Sequence, residues 1–398
     1  MRLLYFSILL ILFFTVSIFS QAGGYGAPFL AGNSSPAITS VGGAGVAITV
    51  HDPFSVIYNP AHLGNNIWDK NILVSYNYNS FAVYNLYEFP ANYFGLNAGY
   101  RLDSLIDMPM AVGLSLIRRT ISNGEFTRTA ENGEVLGKYD SYESSNEFSI
   151  GAAYQNYALF SFGLTYKNIN SELTEKSPEY KVLSGNANAF DLGVLIKIPV
   201  IKTYTFSENL NADLDVSIGA ALLNFGDELN VDGYNAPLPR QNSLGYSLSF
   251  GFNYVTQDLN LKILNFDFTQ SAVSNLVLRD SLSINYKGLF NEMNILDNIF
   301  GMNNSDYVKS QFGIRFNILE TVIYSIGNGY IYGDDTKTSG LEVSSKGLSK
   351  ILYYLTDSRE FLYLYENIEF SYINAQPDNH FAQGIETLYN GFVLSFKL

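Results

Sequence analysis

From Asn71 onward, large apolar residues recur at every second position. The clearest stretch is Leu244/Tyr246/Leu248/Phe250/Phe252/Tyr254, interleaved with Ser243, Gly245, Ser247, Ser249, Gly251 and Asn253. Successive side chains of a strand point to opposite faces, so this period of two predicts strands with one apolar and one polar face. The same pattern marks Ile72/Val74/Tyr76/Tyr78, Phe94 to Leu102, Met110 to Leu116, Phe148 to Tyr154, Phe160 to Tyr166, Phe190 to Ile198 and Leu214 to Leu222. Phe312/Ile314/Phe316/Ile318 is equally strong, whereas Leu264/Phe266/Phe268, Leu282/Ile284/Tyr286, Val322/Tyr324/Ile326 and Ile368/Phe370/Tyr372 are shorter. A last amphipathic stretch from Tyr389 reaches Leu398, as the closing strand of a barrel would.

Together these predict about 14 strands, an even number and each near the ~9–11 residues of a tilted membrane strand. The apolar faces carry Phe, Tyr, Leu and Ile, and the opposite faces Gly, Ser, Asn and Thr. A soluble sandwich would place charge on its outer face. Faces this poor in charge fit a barrel with lipid outside and a crowded polar lumen. The expected fold is therefore all-β, a transmembrane antiparallel β-barrel. Connections at 102–109 and 155–157 are short; those at 119–146 and 168–187 are long, rich in Glu, Asp, Ser and Asn, and expected at the cell surface. The stretch from Leu341 to Leu355 reads as a strand or a short helix.

The first residues differ. Arg2 precedes an uncharged run from Leu3 to Phe19, and small residues follow at Ser20 and Ala22, which reads as an export signal cut near Ser20. An uncleaved anchor is the alternative. Gly23 to Asn66 is rich in Gly, Ala, Ser and Pro without regular alternation. The chain thus divides into a signal peptide (1–20), a compact N-terminal hatch or plug (21–70) and an outer-membrane barrel (71–398).

Composition narrows the function. With 30 Tyr and 29 Phe against one Trp, the chain has the aromatics that strands and interface girdles need. A charge of −14, or −15 without Arg2 (22 basic against 37 acidic residues), argues against nucleic acid. Zero cysteines exclude a disulfide framework and thiolate chemistry. His51, His62 and His380 are too scattered to suggest a metal site. No G-x-S-x-G element occurs, so no hydrolase constellation emerges and no enzyme is expected. Asp213 and Asp215 share a strand face and could repel or hold a cation, though solvated lumen charges are the commoner case; Asp334-Asp335 reads as a loop. No motif calls for a cofactor or metal. Gly42-Gly43-Ala44-Gly45 lacks the Lys-Ser/Thr and strand–loop–helix frame of a phosphate loop, and reads instead as close backbone packing. Asn59-Pro60-Ala61 has the same character, a rigid turn able to satisfy its polar groups against a barrel wall.

Ser35-Pro-Ala-Ile-Thr-Ser-Val-Gly-Gly-Ala-Gly-Val-Ala-Ile48, followed by Asp52-Pro-Phe-Ser-Val-Ile-Tyr-Asn-Pro-Ala61, resembles the N-terminal signature of the PorV/PorQ family, barrels related to the FadL fatty-acid channels. Phe190-Asp-Leu-Gly-Val194, Ile218-Gly219 with Asn224-Phe-Gly226, and Pro237-Leu-Pro-Arg240 before Leu244-Gly245 are similar in order and spacing to its middle. Val41 stands where Met is usual and His62 where Gly follows Asn-Pro-Ala. The resemblance implies a 14-stranded barrel in the outer membrane of a Gram-negative bacterium, with Gly42, Gly43, Asn59, Pro60 and Ala61 as the hatch motif. It implies a non-enzymatic role in type IX protein secretion or surface attachment, with secretion-system partners including a large translocon barrel. The alternative implied by FadL relatives is a channel taking up a hydrophobic ligand. Outer-membrane lipid is a partner in either case.

Overall fold

The computed structural model describes residues 26–83, 87–103, 107–130, 132–172, 184–231, 233–256, 259–280, 283–289, 293–305, 307–331, 334–378 and 385–397. The proposed signal peptide and His380 lie outside the described residues. Eighteen strands are described: β1 (Ile72–Val83), β2 (Tyr87–Arg101), β3 (Met110–Thr129), β4 (Val135–Gln155), β5 (Leu159–Glu172), β6 (Ser184–Ser207), β7 (Leu210–Gly226), β8 (Leu229–Val231), β9 (Tyr234–Ala236), β10 (Gln241–Val255), β11 (Asn260–Asn275), β12 (Val277–Asp280), β13 (Ser283–Tyr286), β14 (Val308–Ile318), β15 (Val322–Ile331), β16 (Asp334–Ser344), β17 (Ile368–Asp378) and β18 (Ile385–Phe396). Fourteen form one closed antiparallel sheet. Each pairs with the next barrel strand in sequence, and β1 joins β18 to close the ring, Ile72 opposite Phe396 and Tyr76 opposite Phe392. The hairpin β8–β9 hangs on the end of β6, and β12–β13 pair only with each other.

The burial pattern is that of a protein turned inside out. Phe162 on the outer wall is 53% exposed while Ser149 facing the lumen is 0% exposed. In water, each exposed Phe or Leu forgoes about 1.5–3 kcal/mol of burial. Against lipid the same arrangement is favourable, and ring closure leaves the sheet without an open edge.

Both edges of the apolar band are marked. At one level Tyr76, Tyr166 and Tyr372 donate their hydroxyls to Asn92, Asn188 and Asn390 at 2.7, 2.7 and 2.9 Å. Near the opposite edge Tyr204, Phe206 and Phe252 form a chain of ring contacts, with centroids 5.0 and 6.0 Å apart. On β6, Asn188 to Ile198 spans ten residue steps, ~33 Å along the strand and about 25 Å of height at ~40° tilt. The Tyr/Asn edge lies toward the long connections (173–183, 227–240, 276–307), which mark the extracellular side. Short turns (208–209, 319–321) lie at the other end, together with a hairpin of helices Ser345–Thr356 and Arg359–Asn367.

Three expectations are corrected and one open alternative is resolved. The run Leu282/Ile284/Tyr286 is not a barrel strand, because Ser283–Tyr286 pairs only with Val277–Asp280. The strand that takes its place is β16, whose outward positions Asp335, Lys337 and Ser339 lie above the apolar band, so that only Leu341 and Val343 alternate as apolar residues. Asp334-Asp335 accordingly begin that strand and are not a loop. Residues 119–146 are not one long loop: β3 and β4 stay paired as far as Thr129 and Val135 and form a ribbon rising from the wall. The stretch from Leu341 to Leu355 is both of its alternatives, strand to Ser344 and helix from Ser345, where Ser344 accepts from the Lys346 amide at 3.2 Å.

Candidate functional site in the barrel lumen

Residues 26–70 lie within the ring of strands and contribute none of their own to the sheet. Their short elements are the 3-10 turns Pro28–Ala31 and Pro53–Ile57 and the helices α1 (Pro36–Thr39) and α2 (His62–Asp69). Local chemistry dictates them. Pro takes the first helical position in three of the four, where a missing N–H costs nothing. Ser35 caps α1 by accepting from the Ile38 amide at 3.2 Å, and Asp52 caps the turn Pro53–Ile57 by accepting from the Phe54 amide at 3.0 Å. The two caps are joined, because Ser35 Oγ donates to Asp52 Oδ2 at 2.5 Å. Burial pushes the Asp52 carboxyl up to about 6, against the pull of the Ser35 and Phe54 hydrogen bonds.

The wall is shaped to receive this segment. Gly99, Gly113, Gly151, Gly163 and Gly193 are direct cross-strand neighbours on β2 to β6. A methyl group at Gly193 would lie 2.8 Å from Pro60 Cδ, and one at Gly151 2.9 Å from Leu63 Cβ. Helix α2 presses Leu63 and Ile67 into this stripe, and both are buried. Farther round, Gly219 and Gly245 meet Val46, while Gly313 and Gly327 meet Val41.

Each residue of the expected hatch motif faces this wall. Gly42 and Gly43 adopt φ of +72° and +80°, and a Cβ at Gly42 would lie 2.6 Å from the Asn328 carbonyl carbon. That combination of left-handed backbone and contact leaves room for no other residue. The Gly42 amide donates to Thr338 Oγ1 at 2.9 Å. Asn59 is fully buried; its Nδ2 donates to the carbonyls of Val46 (2.8 Å) and Val194 (3.0 Å), and its Oδ1 accepts from the Ala61 amide (3.0 Å). Pro60 and Ala61 abut Gly163 and Gly193.

Sequence reasoning missed three features. His62 is fully buried and donates Nε2–H to the Gly45 carbonyl at 2.8 Å; burial lowers its pKa to about 4, so the ring is neutral. On the extracellular side of the lumen, two ion pairs are sealed from water, Arg119 with Glu147 (Nη2–Oε1 2.5 Å) and Lys167 with Asp191 (2.7 Å). Arg119 also stacks over Phe29 (5.3 Å), and Asn224 accepts from Lys167 at 2.8 Å while its amide donates to Asp191 at 2.7 Å. The available signal was a charge at an inward position whose inward neighbours two residues away are uncharged, Ile117 and Ile121 for Arg119, Ser145 and Ser149 for Glu147, Thr165 and Ile169 for Lys167, Ala189 and Gly193 for Asp191. On the periplasmic side a cavity of about 230 Å³ opens below Thr49–Asp52, with Lys197, Asp215, Arg315, Glu342 and Lys346 in its lining. Asp213 and Asp215, read as lumen charges that could also repel or share a cation, each face a lysine, Lys262 and Lys197, both at 3.2 Å. Among the described residues no group of three or more His, Asp or Glu side chains is placed to hold a metal.

No known family profile matches the chain, and no curated protein matches it. Among solved structures it is similar to the toluene transporter TbuX of Ralstonia pickettii (13% identity over 93% of this chain and 99% of that one, TM-score 0.40). It is likewise similar to a deltaS2S3 mutant of the monoaromatic hydrocarbon channel TodX (13%, 92% and 99%, TM-score 0.43) and to a Pseudomonas aeruginosa FadL homologue (8%, 94% and 98%, TM-score 0.38). The barrel assignment rests on the strand register and the inverted burial described above.

Proposed function

We propose that this chain is a non-enzymatic outer-membrane barrel, exported by its N-terminal signal, whose lumen is closed by a hatch and which works through its wall and extracellular rim. The observation that carries this reading is the fit of residues 26–70 to the glycine-lined wall. A hydrophobic solute moving down the axis would have to displace Leu63, Ile67 and Pro60, then cross a vestibule lined with charged groups, a route that costs free energy at each stage. The β3–β4 ribbon offers a partner a tall exposed surface. The order of motifs from Ser35 to Ala61 supports membership of the PorV/PorQ branch, and hence a place in type IX secretion or surface attachment beside a large translocon barrel.

A second reading, a FadL-type channel for hydrophobic molecules, has its own observation. The hatch shares no strand ladder with the wall. It is held by side-chain bonds such as Asn59 to Val194 and Thr269 Oγ1 to Ala44 (2.9 Å), so it can shift without unpairing the barrel. One strain set separates the two. Deleting the gene and comparing surface proteomes tests secretion: cargo lost from the surface supports it, and an unchanged distribution removes it. Because the chain has no cysteine, Ala44→Cys and Thr269→Cys can be bridged by a short thiol crosslinker. Crosslinking abolishes toluene uptake if the hatch gates a channel, and leaves surface cargo intact if the barrel acts by its exterior.

A further inference from the structure

A groove of about 270 Å³ runs along the outside of the barrel across β2 to β5. Phe94, Leu116 and Phe148 form its apolar part, and Arg118, Asn146 and Asn168 its polar part. Register fixes its height. Arg118 is directly opposite Asn146, Asn146 opposite Asn168 and Asn168 opposite Asn188, and Asn188 accepts the Tyr166 hydroxyl at the extracellular edge of the band. Arg118 points outward and is exposed, the reverse of Arg119 next to it, which is buried with Glu147. Among the described residues no carboxylate lies within ion-pair distance of Arg118. A guanidinium at the lipid boundary is costly unless an anion meets it, and its planar fork suits phosphate oxygens.

We propose that this groove is a binding site for a lipid with a phosphorylated headgroup in the outer leaflet. The phosphate is held by Arg118 with the carboxamides of Asn146 and Asn168, and an acyl chain lies over Phe94, Leu116 and Phe148. The chemistry is that of a peripheral phosphate with an apolar tail, so an acidic protein surface lacks the second half of the match. The site would tie one face of the barrel to the anionic outer leaflet and set its rotation there.

The test uses the full mature chain in nanodiscs of phosphatidylcholine doped with phosphatidic acid, released into native mass spectrometry. The wild type is expected to keep phosphatidic acid in preference to phosphatidylcholine. Arg118→Gln is expected to lower that preference about tenfold, the worth of one charge-assisted hydrogen bond, while Arg118→Lys keeps part of it. Arg118 is exposed, so the variants fold, and an unchanged heat-dependent gel shift checks this. Equal retention by wild type and Arg118→Gln overturns the site. Displacement of the lipid by inorganic phosphate alone overturns the lipid assignment, because it would show that the apolar half contributes nothing.

Discussion

The Asn59 carboxamide donates to the main-chain oxygen of Val194 at 3.0 Å, a bond between a turn of the N-terminal segment and a strand of the wall more than a hundred residues away. The same nitrogen serves Val46, and the oxygen serves Ala61. Replacing Asn59 by Ala leaves the buried Val46 carbonyl and Ala61 amide unpaired and removes the bond to the wall, at a cost of ~3 kcal/mol or more to local stability. Hydrogen exchange of residues 26–70 should lose about a hundredfold in protection while the heat-dependent gel shift of the barrel is unchanged. Equal loosening of barrel and segment would show that the two are one cooperative unit.

In the segment's pH response His62 and Asp52 oppose each other, and His51, also lowered by burial, acts in the same direction as His62. His62, lowered to about 4, binds fewer protons folded than unfolded, so its contribution is present above pH 6.5 and is lost as pH falls through 4. Asp52, raised to about 6, binds more protons folded than unfolded, so its contribution is present below 3.8 and is lost as pH rises through 6. Between pH 4 and 6 the His62 and Asp52 slopes nearly cancel, so wild-type stability should rise with pH only by what His51 contributes. The sole tryptophan, Trp68 on α2 with Arg101 4.3 Å above its ring, reports on this segment alone. Followed by Trp68 fluorescence, Asp52→Asn should gain stability more steeply than the wild type as pH rises from 4 to 6.5, and His62→Gln less steeply than the wild type. Parallel profiles for both variants would refute the assignment.

Lys167 and Asp191 are buried 2.7 Å apart. Lys167→Met leaves an unpaired buried carboxylate and should cost about 3–5 kcal/mol in urea unfolding from lipid vesicles. The double variant Lys167→Met/Asp191→Asn should recover most of that, because the carboxamide that replaces the carboxylate is neutral and its oxygen can still accept from the Asn224 amide. If the double variant is no better than the single, the damage lies in packing rather than in charge.

Strand alternation made most of the barrel legible, because lipid on one side and a crowded lumen on the other impose opposite chemistries on adjacent residues. It failed where that contrast ends. β16 rises above the apolar band, so Asp335 and Lys337 face outward and only Leu341 and Val343 keep the apolar alternation, too few to mark a strand. Ile284 and Tyr286 alternate for a small hairpin that never joins the ring. Gly163 and Gly193 were visible as small lumen residues. Their meaning was not, since it depends on a cross-strand register and on Pro60, both set by contacts distant in sequence. The buried partners of Arg119 and Lys167 were hidden for the same reason.

One substitution separates lipid from water at the outer wall. Phe162 projects outward from the middle of β5, opposite Ala152 and Val194, and about half of its surface is uncovered by protein. On a water-facing surface Phe162→Arg would change stability by no more than about 0.5 kcal/mol. In the bilayer core the guanidinium must be dragged from water at about 2–4 kcal/mol, falling toward zero near the interface. Folding into vesicles should therefore be weakened by Phe162→Arg and nearly unaffected by Tyr142→Arg, whose side chain lies on the same outer face of β4 but above the Asn146 level. Equal effects at the two depths would mean that the exposed aromatics face something other than lipid.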